Sequence, residues 1–292
     1  MDENEIKVGY ALSDVVEEHE NLRNILELTS LPDTLELQPE KFLWNLNEAK
    51  DYLDKVKFLS VHAPAANLDL SSHDQRERYE SILATLKGMD IANELDANTL
   101  VIHPINNMHL NPQERLQRKN KFLEVFQNDI APHYSQNGHR YKICLENIEY
   151  PKLPSTLEET LILTEEASKF MDAYMILDVP HIWNSRRILR ENPDYYRELT
   201  PGFPGDESLE TYFNNFVEKY DDKIALYHIA GFGENPVETH NPITEELVEK
   251  DYLKLIKNIK RKPVILEIHH PSYIKMVESR ENLIKYFNTE EI

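Results

Sequence analysis

Ala173-Tyr-Met-Ile-Leu-Asp-Val-Pro-His181 is the stretch whose reading decides the fold. Its centre, Tyr174 to Leu177, is an unbroken apolar run. Such a run suits a strand buried on both faces of a parallel sheet rather than one with a wet side. It stops at Asp178, and His181 follows three residues later, so greasy chain gives way abruptly to ionisable side chains. Seven other segments follow the same plan. In chain order the expected strands are Lys7–Leu12, Thr34–Pro39, Lys57–Pro64, Thr99–Pro104, Tyr141–Asn147, Ala173–Pro180, Ile224–Gly231 and Pro263–His270.

The stretches between them read as helices. Asn111-Pro-Gln-Glu114 offers an N-cap, a proline at the first helical position and a carboxylate at the third; Ser155 with Glu158 makes a second capping pattern. Val248, Tyr252, Leu255, Ile256 and Ile259 form one apolar stripe at helical spacing. Eight strand–helix units in 292 residues, with no Gly/Ser-rich linker and no repeat, predict one α/β domain over 1–292. The expected architecture is a closed (β/α)8 barrel, which needs about 250 residues, with a long insertion at about 182–221. A doubly wound open sheet is the alternative, but the Gly-x-Gly-x-x-Gly phosphate turn is missing.

Bulk composition narrows the partners. There are 52 acidic against 32 basic residues, a formal charge of −20, so a duplex-binding footprint of lysine and arginine is not expected. No apolar run of about 18 residues exists to span a membrane, and Met1 to Ile6 lacks the start of a secretory signal. One cysteine, Cys144, fits a reducing, cytoplasmic compartment.

In a barrel of this kind reactive groups gather where strands end. Strands three to eight end in, or run just past, His62, His103, Glu146, Asp178 with His181, His228, and Glu267, while Glu238 and His240 follow the seventh strand. Any one of these alone reads as a hydrogen-bonded loop residue or half of an ion pair. Together they place several carboxylates near one axis with no matching set of strand-end Lys or Arg. Burying unpaired charge costs several kcal/mol per ion. Divalent cations would resolve this; imidazole and carboxylate ligands suit Zn, Mn or Fe, and nine candidates exceed the needs of one ion. Two or three metal ions are therefore expected. His269 should share the face of Glu267 and is a reserve ligand; Cys144 reads as core filler. His19, His73, His109, His133 and His139 lie away from strand ends and are expected to be solvated. Arg186, Arg187, Arg190 and Arg197 form either a helix face or a basic lid for an anionic substrate.

The order of these residues resembles the xylose isomerase-like TIM-barrel superfamily over essentially the whole chain. That group holds sugar isomerases and epimerases, nucleases of the endonuclease IV type, and multinuclear non-heme iron enzymes that oxidise ribosomally made peptides. The resemblance implies that Glu146, Asp178, His228 and Glu267 are the shared metal core, extended by His62, His103, His181 and His240 as in the trinuclear nuclease site. His228-Ile-Ala-Gly231 followed by Glu238-Thr-His240-Asn-Pro-Ile243 is similar to the iron enzymes, as are Leu35-Glu-Leu-Gln-Pro-Glu-Lys-Phe42 and Leu145-Glu-Asn147. Glu238 stands where those enzymes have Asp, and Asp178-Val-Pro-His181 is closer to the nuclease and isomerase branches.

Three activities follow as expectations. The first is iron-dependent oxidation of a cysteine-bearing peptide, with open metal positions for O2 and thiolate and, as the resemblance implies, a partner or leader-recognition protein. The second is a sugar or sugar-phosphate isomerase or epimerase, in which Glu146 and Glu267 exchange a proton, His181 assists, and Arg186, Arg187 and Arg190 hold a phosphate. The third is abasic-site phosphodiester hydrolysis, which the acidic composition disfavours. A metal-storing or peptide-binding barrel without turnover is the non-enzymatic alternative.

Overall fold

The computed structural model describes residues 7–13, 33–39, 50, 53, 55–65, 67–106, 111–190, 194, 208–231, 240–244, 255, 259, 262–269 and 273–288. Eight strands close into one parallel ring: β1 (Val8–Ser13), β2 (Thr34–Gln38), β3 (Phe58–His62), β4 (Thr99–Ile102), β5 (Lys142–Glu146), β6 (Ala173–Asp178), β7 (Ile224–Ile229) and β8 (Val264–Leu266). Each pairs with its neighbours in sequence, and β1 pairs with β8 through Val8–Val264, Gly9–Ile265 and Tyr10–Leu266. Closure leaves no edge strand and sets aside the open sheet.

All eight expected strands are present, and most stop short of the proline that follows. Pro39, Pro64 and Pro104 lie just past β2, β3 and β4. After β6 the boundary moves: Val179 and Pro180, expected in the strand, open helix α5 (Val179–Arg190). Proline lacks the N–H that a sheet needs but a first helical turn does not.

The other described helices are α1 (Gln75–Glu94), α2 (Pro112–Val125), α3 (Ala131–Asn137), α4 (Leu157–Ala167), α6 (Leu209–Tyr220) and α7 (Tyr273–Asn288). A π-helical turn, Phe126–Ile130, joins α2 to α3. Asn111 caps α2 in a reciprocal box with Glu114, as its sequence predicts. The cap of α4 sits one residue later than expected: Thr156, not Ser155, accepts from the backbone of Glu159. Glu159 reaches back to the backbone N–H of Ser155 at 2.8 Å, and the Arg115 guanidinium meets both its carboxylate oxygens at 2.7 Å. Of the apolar stripe 248–259, Leu255 and Ile259 are buried; Val248, Tyr252 and Ile256 lie outside the described residues. The region expected as an insertion contributes the rest of α5 and, from Leu209, α6.

Two apolar layers follow from strand alternation. Outward residues such as Leu35, Leu37, Val61, Leu145 and Leu177 pack against the helices. A smaller buried cluster contains Val101, Cys144, Ile176, Leu226 and Ile265. Each of these lies two residues before His103, Glu146, Asp178, His228 or Glu267, hence on the same strand face. They floor the barrel beneath its ionisable mouth. Cys144 is core filler, as expected, and burial pushes its thiol pKa up.

Candidate metal centre

A register shift at Met175/Ile176 brings Ile176 opposite Leu226 and Asp178 opposite His228. The mouth then assembles around His228. Its Nδ1 lies 3.1 Å from Glu146 Oε1 and 3.2 Å from Glu267 Oε2, while Nε2 lies 3.2 Å from Glu36 Oε2. Glu146, Asp178, His228 and Glu267 each bring a ligand atom within 4.8 Å of the others, and all four are buried. Two further groups share members with this quartet: His62, His103 and Glu146, and His240, Glu267 and His269. The edge of Glu146 opposite His228 is held by His62 and His103, whose Nε2 atoms lie 3.2 and 3.1 Å from Oε2.

Sequence reasoning thus brings together His62, His103, Glu146, Asp178, His181, His228, His240 and Glu267, with the reserve His269 at the rim. Glu238 lies outside the described residues. Neither Arg186 nor Arg187 lines the cavity above the quartet. Arg186 is buried with its guanidinium 5.3 Å from the ring centre of Tyr212; Arg190 belongs to α5, and Arg197 is outside the described residues. This placement gives the expected phosphate-binding role no support, because α5 packs Arg186 against α6 instead of presenting it to the mouth. His133 and His139 depart from the solvated expectation: His139 is buried, and His133 Nε2 pairs with Asp90 at 2.9 Å. His73 is exposed; His19 and His109 are outside the described residues.

Two members were not singled out from sequence. Glu36 is fully buried, takes a 2.7 Å hydrogen bond from Ser60 Oγ and reaches His228. Gln38 donates to Glu267 Oε1 at 2.8 Å. The signal was the alternation Thr34, Glu36, Gln38 against Leu35 and Leu37, which sends two polar side chains to the inner face.

Asn147 organises the β5 and β6 ends. Its side chain donates to Asp178 O and accepts from Asp178 N, at 2.9 and 2.8 Å. Its carbonyl lies 3.1 Å from His181 Nδ1, and Asp178 Oδ1 accepts the backbone N–H of His181 at 2.6 Å. His240 stands in a left-handed turn, φ 66°, clamped by the two backbone hydrogen bonds between Gly231 and Asn241. Its ring stacks on His269 at 4.5 Å and meets the edge of His181 at 5.3 Å.

The electrostatics show how protons neutralise this cluster when no cation does. Burial pushes Glu146 up, but His228 and His103 outweigh it and hold the carboxyl well below its usual range. Burial likewise works against Glu267, which His240 and His228 hold low. Asp178 goes the other way, raised first by burial and then by the charges of Glu146 and Glu267. Burial would lower His62 and His228, yet the surrounding glutamates raise both, His62 to about 9. His181, buried and facing His240, is pushed down to about 3 and stays neutral.

Does this donor set fit a divalent metal? Glu36 Oε1 and Glu267 Oε2 are buried without a hydrogen bond among the described residues. Carboxylate and imidazole are the ligands that Mn, Zn and Fe take, and among the described residues the quartet's ion pairs are with histidines. The residues fit.

Above the quartet lies a cavity of about 640 Å³, lined among others by Gln38, His62, His103, Lys152, His181 and His240. Its described walls also bear Asp69, Glu77 and Glu149 against Lys152 as their one lysine or arginine.

A closed eight-stranded parallel barrel with histidines and acids at its strand ends defines a class, metal-site (β/α)8 barrels. The chain belongs to one family of that class, the xylose isomerase-like TIM barrel, whose model matches residues 27–286. No curated protein sequence matches it. Solved structures do. A D-tagatose 3-epimerase-like protein is 20% identical with a TM-score of 0.68, covering 96% of this chain and 97% of that one. D-psicose 3-epimerase, solved in the presence of D-fructose, is 13% identical with a TM-score of 0.61 and 96% of each chain covered. Endonuclease IV from Thermus thermophilus is 14% identical with a TM-score of 0.62, covering 96% of this chain and 98% of that one. At these identities the likeness is one of fold. Among the described residues no helix is long and apolar enough to cross a membrane.

Proposed function

We propose that the chain is a divalent-metal-dependent isomerase or epimerase of a small sugar. One observation carries this reading: Glu146 and Glu267, from strands three places apart around the ring, converge on His228 Nδ1 beneath a cavity of monosaccharide scale. An ion held by Glu146, Asp178, His228 and Glu267 would polarise the hydroxy-ketone of the substrate.

The same two glutamates serve as the proton-transfer pair. One takes the proton from the carbon beside the carbonyl; the C–H electron pair becomes a C=C bond and the carbonyl oxygen takes the charge, giving an enediolate. The other, which must first take up a proton, returns it to the opposite face, and the electron pair moves back. No redox partner is consumed. His181, neutral and directing Nδ1–H to Asn147 O, leaves Nε2 to accept from a substrate hydroxyl. His62 and His103 need no metal in this scheme, because they hold Glu146 Oε2 and orient its carboxylate. With four carboxylates in the described cavity wall against one lysine, a neutral polyol suits it better than a sugar phosphate or a nucleic acid strand. The sugar epimerases among the similar structures support the same substrate class.

A second reading has its own observation. The groups around His62–His103 and His240–His269 each share a glutamate with the quartet, an arrangement that suits two or three ions bridged by Glu146 and Glu267. Multinuclear hydrolysis, or iron-dependent oxidation of a cysteine peptide with a partner protein, would use that arrangement. Iron itself rests on the resemblance of the 35–42, 145–147 and 228–243 segments.

Protein reconstituted with manganese and incubated with ketohexoses in deuterated water decides between them. Deuterium beside the carbonyl, with the epimer growing in the NMR spectrum, is the expected result. Absence of exchange over the whole panel, in protein carrying two or three irons per chain, would overturn the isomerase reading.

A further inference from the structure

The geometry points to a second, separate site for one divalent transition-metal ion, formed by Asp90, His133 and His139 at the end of the barrel away from the mouth. Asp90 lies on the last turns of α1. His133 lies on α3, which stops at Gly138 in the left-handed conformation, φ 64°. That turn folds the chain back so that His139 N–H reaches Tyr134 O. His139 precedes β5 and Glu146 ends it, so the length of a strand separates this cluster from the mouth.

The three side chains bring ligand atoms within 4.8 Å of one another. His133 Nε2 and Asp90 Oδ1 are already 2.9 Å apart. Metal–ligand bonds of about 2.0–2.2 Å place tetrahedral neighbours a little over 3 Å apart, so only a small rotation of His139 is required.

His139 is what makes this more than a surface ion pair. It is 7% exposed, and neither ring nitrogen has a hydrogen-bond partner among the described residues. The ring packs on Tyr134 at 5.5 Å and Tyr141 at 5.1 Å. Neither phenol donates to it, because Tyr134 OH donates to Tyr141 O and Tyr141 OH donates to Met89 O. If packing alone were needed, a phenyl ring would fill the place without leaving two polar atoms stranded. The imidazole faces His133, not a carbonyl or a hydroxyl. A cation shared by two imidazoles and one carboxylate supplies the missing partner, and this mixed N/O set suits zinc, cobalt or nickel. Asp90 is 62% exposed, which gives the ion a way in and leaves a position for water.

The test uses full-length protein stripped with a chelator and dialysed against micromolar free zinc, with zinc per chain counted by elemental analysis. Asp90→Asn, His133→Gln and His139→Phe are compared with the parent. Each variant is expected to bind one zinc fewer while the zinc held at the mouth is retained. Should His139→Phe fail to fold, Asp90→Asn and His133→Gln, on the solvent side, decide alone. Equal zinc counts in parent and variants would overturn the site and leave an exposed ion pair beside a packed ring.

Discussion

At the scale of single residues, the mouth is a set of acids held by imidazoles, and Glu36 governs how one imidazole is presented. By engaging Nε2 of His228 it fixes which nitrogen faces the metal quartet. Partners of this kind tune metal affinity by about 10–100-fold. Glu36→Gln is therefore expected to weaken manganese binding by about that factor in a calorimetric titration, with the fold retained. Unchanged affinity would remove Glu36 from the site. For the reaction itself, Glu267→Gln should lower turnover on the active sugar by about 10²–10⁴-fold, as loss of a proton-transfer group does. His62, His103 and His228 were legible as candidate ligands because each ends an apolar run. Glu36 and Gln38 were not singled out because their strand alternates instead, and only closure of the ring shows that its polar face looks inward.

Elements set the precision of those positions. The segment carrying His240 is pinned where Gly231 and Asn241 exchange backbone hydrogen bonds. A Cβ on Gly231 would lie 2.3 Å from the carbonyl oxygen of Pro242, so the two backbones could not stay in register. Gly231→Ala should cost about 1–3 kcal/mol in denaturant unfolding, as overpacking does, and should displace His240 from the mouth. A full-strength imidazole resonance shift on metal addition would contradict that displacement. On the far side of the mouth, Arg115 ties α2 to the start of α4 through Glu159, with carbonyls of Pro151 and Lys152 completing its shell. Breaking one partner of a buried pair strands the other, so Arg115→Ala is expected to destabilise by about 3–5 kcal/mol. A loss below about 1 kcal/mol, the range of exposed pairs, would show this one to be solvent-screened.

For the whole molecule, closure stores like charge at one end of a barrel, and a bound cation should be felt globally. A metal that binds only the folded chain at about 100 times its dissociation constant adds about 2.7 kcal/mol. For a chain of this size that is a rise in melting temperature of about 5 °C, reversed by chelation. Acid should compete with the metal, since imidazoles must be neutral and carboxylates ionised to bind. The glutamates around His228 raise its pKa, so a proton has to leave as the ion enters. Metal affinity should therefore fall as pH drops, with protons released on loading in weakly buffered solution. Affinity independent of pH between about 5 and 8, the range in which imidazoles titrate, would count against these ligands.

Taken by itself, the sequence determined the eight-fold alternation of strand and helix, the parallel sheet and most of the ionisable residues that meet at the mouth. These depend on local apolar periodicity and on what stands at the end of each run. Tertiary structure alone decided the rest: that a register shift sets His228 opposite Asp178, that Glu36 and Gln38 enter the mouth, and that Arg186 packs on Tyr212 away from the cavity. It also decided that His139 is buried beside His133 and Asp90. Those facts depend on distances between residues far apart in the chain, which no periodicity encodes.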